Sequence, residues 1–307
     1  MKKLLLLNLF LLCVAVNGYA QENAESHYNQ GTLFAKLGHY DEAIIEFNKA
    51  INMNPSMFWA YNNRGIAWEK KGQYEKAVSD FNKALALNPE LADAYVNRSN
   101  AWSGMGQHEK AIADCTKAIE INGKIAMAYY NRGHAWGARK MHAKALSDYN
   151  AALEINPAFS SAYSARGSTW FHLDRKDKAI SDFTKAIQLN PEGPNNYFLR
   201  GLAWTQLGQH AMGISDFTKA IELKPPFADA LYYRGIALLN AGELEKSIDD
   251  FNRYIEIKPG NASAYSRRGQ ALDSLGRRDK ACSDFRKACE LGFCEPLKYM
   301  RGKGNCK

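Results

Sequence analysis

Eight consecutive blocks of identical length run from Ala24 to Glu295 without an insertion or deletion, and small, aromatic and turn-forming residues recur at the same offsets in each. In the block Phe58 to Leu91 these are Tyr61, Gly65, Trp68, Gly72, Tyr74, Ala77, Phe81, Ala84 and Pro89. So strict a period restricts the chain to a quasi-one-dimensional array, because one short unit cannot bury its apolar face alone and must stack on its neighbours. Within each block, positions 1 to 14 and 16 to 30 read as two helices joined at position 15. Gly38, Gly72, Gly106, Gly208, Gly242 and Gly276 stand there to supply a left-handed turn. Position 8 is usually Gly and position 20 usually Ala, keeping side chains small where the two helices approach. Position 11 carries Phe34, Trp68, Trp102, Trp136, Trp170, Trp204, Leu238 and Leu272, a set whose tolerance of Leu and Phe marks core packing rather than a cofactor box.

This pattern resembles the tetratricopeptide repeat, a helix-turn-helix unit of the same period. The resemblance implies an all-α fold, a right-handed α-solenoid with a long concave groove that binds a protein or peptide partner. Its eight repeats are 24–57, 58–91, 92–125, 126–159, 160–193, 194–227, 228–261 and 262–295, and residues 296–307 form a short C-terminal capping segment. The motif names an architecture and leaves the partner open.

Position 7 is Arg in every block after the first, where Gln30 stands, and position 23 is acidic in all eight. The expectation is a ladder of seven inter-repeat ion pairs in which each Arg reaches back to the acid of the preceding block, beginning with Glu46 and Arg64 and including Asp114 and Arg132. The turn glycine is replaced by Lys140 in block four and Asp174 in block five, each costing on the order of 1 kcal/mol in the left-handed region. Gly213 replaces the small Ala of block six, Ser99 the Gly of block three and Gly123 its usual Pro, so the middle of the array is expected to be its softest part.

In the family that this chain resembles, helix A positions 2, 5, 6, 9, 12 and 13 line the groove. Position 6 is Asn29, Asn63, Asn97 and Asn131 in blocks one to four. A side-chain amide both donates and accepts, and can therefore pair with a peptide unit regardless of ligand sequence. The row is similar to the asparagine ladder in the repeat domain of O-linked N-acetylglucosamine transferase, although no catalytic domain accompanies it; the other reading is a consensus residue facing water. Later blocks place Phe171, Phe198, Leu202, Tyr232, Ile236 and Leu239 at positions 5, 9 and 12, a candidate apolar lining. Together these suggest a two-part groove holding extended backbone on the Asn side and apolar side chains on the other. Trp59, with Tyr28 and Tyr130, could instead stack sugar rings, which keeps an envelope glycan or polymer binder as the alternative, beside a subunit of an assembly machine. The Lys and Arg set with which co-chaperone repeats clamp a carboxylate is absent from positions 2 and 5.

Met1, Lys2 and Lys3 precede the apolar stretch Leu4 to Val16 and then Gly18-Tyr19-Ala20, which predicts a secretory signal peptide over residues 1–20. Lipidation at Cys13 is disfavoured by bulky Leu11 and Leu12 before it. Once the signal is cut no membrane-spanning stretch remains, so the mature protein is expected in the periplasm or outside the cell. The formal charge of +8 is spread along the chain, thickening only at Arg277, Arg278, Lys280, Lys298, Arg301, Lys303 and Lys307; no nucleic-acid partner is indicated. Cys282, Cys289, Cys294 and Cys306 cluster at the end of the chain. A short helix over Pro296 to Arg301 folding back on the last repeat would pair Cys282 with Cys306 and Cys289 with Cys294, while Cys115 stays a buried free thiol. The CxxC spacing of a zinc site is missing. The histidines are scattered, with His134 and His172 facing the groove singly, and no Ser-His-Asp order or phosphate loop is present. The reading is a non-enzymatic interaction scaffold that needs no cofactor or metal, of undetermined oligomeric state.

Overall fold

The computed structural model describes residues 23–306; the expected signal peptide over 1–20, with Cys13, lies outside them. The described residues form seventeen α-helices and no strand. They fall into two compact units, one ending at Arg139 and the other starting at Lys140, inside the fourth repeat.

The first unit contains α1 (Ala24–Leu37), α2 (Tyr40–Met53), α3 (Phe58–Lys70), α4 (Tyr74–Leu87), α5 (Ala92–Gly104), α6 (His108–Ile121) and α7 (Ala126–Ala138). Consecutive helices pack as hairpins α1/α2, α3/α4 and α5/α6, and each hairpin also packs on the next. The second unit contains α8 (His142–Ile155), α9 (Ser160–His172), α10 (Lys176–Leu189), α11 (Pro194–Gln206), α12 (His210–Leu223), α13 (Ala228–Asn240), α14 (Leu244–Ile257), α15 (Ala262–Ser274), α16 (Arg278–Glu290) and α17 (Glu295–Gly302). Here α9/α10, α11/α12, α13/α14 and α15/α16 are the hairpins, α8 packs on α9, and α17 packs on α16.

The turns within hairpins follow from the left-handed residue at position 15. Gly72, at φ 72°, donates to the Glu69 carbonyl while Gln73 donates to Trp68, which uses up carbonyls that the end of α3 would otherwise leave bare. Asp174 closes α9 in the same way at φ 59°, through bonds from Asp174 to Phe171 and from Arg175 to Trp170. Lys140 also sits at φ 59°. Lys140→Gly is accordingly expected to stabilise the protein by about 1 kcal/mol, measured as a higher denaturation midpoint at unchanged m-value. Helix A of blocks two to eight ends at position 13 and helix B starts at position 17, each one residue inside the expected bounds, because positions 14 and 16 are spent on the turn.

The glycine at position 8 is explained by the ring at position 24. A Cβ at Gly65 would stand 2.7 Å from Phe81, at Gly201 2.9 Å from Phe217, and at Gly269 2.7 Å from Phe285. Block three changes both partners: the ring becomes Cys115 and the glycine becomes Ser99, both completely buried, with Ser99 Oγ donating to the Val96 carbonyl at 2.6 Å. Ser99 is therefore one half of a complementary exchange. Gly213 has a similar cause, since a Cβ there would lie 2.3 Å from Cγ2 of the bulky Thr205.

The expected ladder of ion pairs forms with different partners. Six of the arginines take the acid of their own block, because position 7 of helix A lies opposite position 23 of the antiparallel helix B. Arg64 grips Asp80 through Nε at 2.7 Å and Nη2 at 2.6 Å, and Arg98 grips Asp114 with the same two distances. In the second unit Arg166, Arg200, Arg234 and Arg268 hold Asp182, Asp216, Asp250 and Asp284 likewise. These hydrogen bonds hold the guanidinium groups of Arg166 and Arg268 above their ordinary pKa, with burial acting against them. Glu46 thus does not pair with Arg64, and Asp114 belongs to Arg98 rather than Arg132.

Register between repeats comes instead from neutral acceptors. The remaining Arg nitrogen, Nη1, reaches back to position 25 of the preceding block: Arg64 to Asn48 at 2.6 Å, Arg98 to Asn82 at 2.6 Å, Arg132 to Thr116 at 3.2 Å, and Arg268 to Asn252 at 2.8 Å. Position 7 is Gln30 in block one, and position 25 is Arg286 in block eight, where the earlier blocks carry an Asn or Thr acceptor.

In block one the acid is answered by other groups. His27 Nδ1 lies 2.6 Å from Glu46 and Lys49 donates to it at 2.8 Å. Burial pushes the Glu46 carboxyl up, but these hydrogen bonds outweigh it and hold the group below its ordinary value of 4.5. A carboxyl depressed in the folded state contributes stability above its unfolded pKa and loses it as pH falls through the folded one. The stability advantage of the native protein over Glu46→Gln is therefore expected to be full at neutral pH and to shrink below about pH 4.5, read from denaturation midpoints across an acid titration.

Candidate functional site

Helix A presents the positions expected to meet a ligand. In the first unit, Asn29 is exposed, Asn63 and Asn97 are half-buried, and Asn131 is buried. The amides of Asn63, Asn97 and Asn131 are tied to the preceding repeat. Asn63 Nδ2 donates to the Tyr28 hydroxyl at 3.1 Å, Asn97 Nδ2 to Asn62 Oδ1 at 3.1 Å, and Asn131 Nδ2 to Asn100 Oδ1 at 2.7 Å. Asn62 in turn donates to Asn63 Oδ1 at 3.2 Å, so Asn97, Asn62, Asn63 and Tyr28 form one chain across three repeats. Such a chain fixes the amide planes; the second N–H of Asn97 has no acceptor among the described residues, that of Asn63 reaches Thr32 Oγ1 only at 3.5 Å, and that of Asn131 is taken by Ser99 Oγ at 3.3 Å, so donors matched to carbonyl oxygens remain chiefly at Asn97 and Asn63. Asn62 and Asn100, which orient the row, stand at positions 5 and 9 and were legible as polar groups but not as its supports.

Among the proposed sugar platforms, Trp59 is 44% exposed and has its ring 4.8 Å from that of Phe58. Tyr28 is half-buried against Phe47 at 6.0 Å, and Tyr130 is half-buried, its phenol pushed up by burial. Only Trp59 of the three offers a broad exposed face.

In the second unit Phe171, Phe198, Leu202, Tyr232 and Ile236 are all half-buried. Phe171 meets His172 edge-on at 6.3 Å. Phe198 packs on Phe227 at 5.1 Å and Phe217 at 5.9 Å, while Tyr232 packs on Tyr254 at 5.0 Å and Phe251 at 6.0 Å. Part of the apolar lining is thus already spent inside the fold. The ring it leaves outward is Tyr233, 40% exposed, held edge-on by Phe198 at 5.8 Å and Tyr232 at 5.4 Å and backed by Phe217 at 6.4 Å. The sequence signal for it was an aromatic at position 6, where the first four blocks have Asn.

The position 11 tryptophans are half-buried rather than fully internal. Lys76, Lys110 and Lys178 stand over Trp68, Trp102 and Trp170 at 4.5, 4.4 and 4.5 Å, one ammonium to each ring. His172, assigned singly to the groove, lies 6.4 Å from His142 with the rings nearly parallel. Among the described residues no group of three or more His, Cys, Asp or Glu could hold a metal ion, and no helix is long and apolar enough to cross a membrane.

At the end of the second unit, α17 turns back on α16. Leu297, Met300 and Cys306 bury against Ile248, Leu272, Phe285 and Cys282. The sulfurs of Cys282 and Cys306 lie at bonding distance with Cα atoms 5.6 Å apart, those of Cys289 and Cys294 with Cα atoms 3.9 Å apart, and Cys115 is a buried thiol outside both pairs.

Comparison with known proteins agrees with this geometry. Family models described as tetratricopeptide repeat match residues 58–91, 92–125, 126–159, 160–192, 198–262 and 262–291, and one described as TPR repeat matches 31–72. No curated protein matches the chain. Among solved structures, a tetratricopeptide repeat protein from Parabacteroides merdae is similar with a TM-score of 0.55 at 20% identity, over 80% of this chain and 98% of that one. The Cut9-Hcn1 hetero-tetramer reaches 0.61 at 15% identity, over 85% of this chain and 52% of that one; at these identities both report the fold alone. YrrB, described as a TPR protein with an unusual peptide-binding site, reaches 0.52 at 26% identity, over 64% of this chain and 97% of that one. With matched repeats following one another along nearly the whole array, the chain belongs to the tetratricopeptide repeat family.

Proposed function

We propose that the protein is a non-enzymatic interaction scaffold whose helix A walls each hold an extended segment of a partner protein. The observation that carries this reading is Tyr233, a large ring left outward and immobilised by three others, as binding hot spots are. In the first unit, Asn29, Asn63 and Asn97 supply N–H donors to ligand carbonyls, and Asn131 serves as their buried anchor. In the second unit, Tyr233 and the edges of Phe198, Tyr232, Leu202, Ile236 and Phe171 receive apolar side chains. The peptide-binding description of YrrB supports the same class of ligand. The protein is exported by a signal peptide cleaved after Ala20, and its C-terminal cysteines are oxidised in pairs.

The test uses peptides selected from a displayed random library on the mature protein. Tyr233→Ala is expected to weaken a peptide that requires the second unit by about 2 kcal/mol, and Asn63→Ala with Asn97→Ala to weaken one that requires the first by about 1 to 3 kcal/mol, measured by calorimetry. Selected peptides indifferent to all three substitutions would remove both walls from the account. The exposed face of Trp59 favours a second reading, glycan stacking; retention on peptidoglycan that Trp59→Ala abolishes would establish it instead.

A further inference from the structure

The C-terminal cap, taken together with α16 on which it folds back, has a surface character that the helix A walls do not share. Residues 278–307 hold eight basic and four acidic residues, so about a tenth of the chain carries half of its net excess of +8. Within the cap the acids are largely spent. Asp284 is buried on Arg268, Glu290 is paired with Lys287 at 3.0 Å, and Glu295 with Lys298 at 3.0 Å. Arg278, Lys280 and Arg301 are exposed and have no ion pair among the described residues, and Arg286 bonds only to a backbone carbonyl, that of Cys282.

The fold gathers these cations. Cys306 is held to Cys282 with Cα atoms 5.6 Å apart, which brings the tail after α17, the segment bearing Lys303, back to the first half of α16, the helix that starts at Arg278 and carries Lys280. Large apolar groups stand out of the same cap. Tyr299 is 62% exposed with the Lys303 ammonium 4.5 Å above its ring, and Leu291 and Phe293 are exposed on the loop closed by Cys289 and Cys294.

We infer that this cap is a peripheral docking surface for an anionic lipid bilayer. Charge complementarity selects an anionic partner, and the outward Phe293, Leu291 and Tyr299 select one that admits rings and aliphatic groups to a shallow depth, as the headgroup layer does. A duplex nucleic acid would use the cations and leave those apolar groups in water.

The experiment is co-sedimentation of the mature protein with vesicles of phosphatidylcholine, with and without phosphatidylglycerol. Binding is expected only to the anionic vesicles and to weaken as salt rises. Arg301→Glu with Lys303→Glu should reduce the partition more than tenfold, because each cation contributes about fivefold and reversal adds repulsion. Phe293→Ala with Tyr299→Ala should reduce it severalfold at unchanged charge. Lys219→Glu with Lys246→Glu, charge reversals on α12 and α14, should leave most of the binding intact, and thermal melts of all variants identify any that unfold the cap. Equal binding to neutral vesicles, equal loss with the α12 and α14 control, or displacement of bound protein from vesicles by duplex nucleic acid of matched charge would overturn the inference.

Discussion

Cys115→Phe should destabilise the third repeat by about 2 to 3 kcal/mol, and adding Ser99→Gly to it should recover most of that loss. The grounds are steric. In blocks two, six and eight the ring at position 24 lies so close to position 8 that a Cβ there would stand at 2.7 to 2.9 Å, inside any real contact distance. Block three fills the same space with a smaller residue on one side and a larger one on the other, both at zero exposure. Restoring the ring alone overpacks the site, whereas restoring ring and glycine together recreates the arrangement seen around Phe81 and Gly65. Ser99→Gly alone leaves a gap and removes the partner that Asn131 holds at 3.3 Å, so it too should destabilise, by about 1 kcal/mol. A thermodynamic cycle over the four proteins, read by chemical denaturation, should return a coupling of about 2 kcal/mol. Additive single effects would show that the two positions do not share space.

Replacing Arg98 by Met should cost about 3 kcal/mol and loosen the third hairpin itself. Asp114 is 6% exposed, and both of its oxygens are taken by that one guanidinium, so the substitution strands a buried carboxylate. Arg98→Lys should recover only part of the loss, because an ammonium cannot reproduce the two parallel bonds and also reach Asn82. Repeat arrays unfold piecemeal, so the measurement is amide exchange resolved by helix. Faster exchange is expected in α5 and α6 first, with a smaller effect on α4, to which the neutral bond to Asn82 runs. If α4 and its acid Asp80 were affected most, the pairing between repeats suggested by the sequence would be the better description.

These two cases mark what could be read from the chain alone. The period, the helix pairs and the left-handed turns were legible because each depends on local spacing and on a residue type, glycine, whose backbone freedom has no substitute in a tight turn. Lys140 and Asp174 adopt the same turn without that residue, which only the repeat context reveals. The covariation of Arg at position 7 with an acid at position 23 was visible, yet its partner was assigned to the wrong block. Identical blocks make the preceding and the same repeat indistinguishable in sequence, and the antiparallel hairpin decides between them. The candidate site shows a similar limit. Asn63 and Asn97 were found by their offset, whereas their engagement by Tyr28 and Asn62 depends on the stacking of neighbouring repeats. Phe198 and Tyr232 were found as apolar groups, but their partial burial, and the exposure of Tyr233 in their place, follow from how the rings fit together.

What the amino-acid sequence determined by itself is therefore the architecture: a strictly periodic array, two helices to each block, and membership of a family built by stacking. Periodicity carries that information because every block must solve the same packing problem. The tertiary structure alone decided which charges meet, which small residue answers which ring, and which of many candidate groups still face outward. Those are matters of fine fit between side chains well separated in sequence, and spacing along a chain does not encode them until the helices are laid against one another.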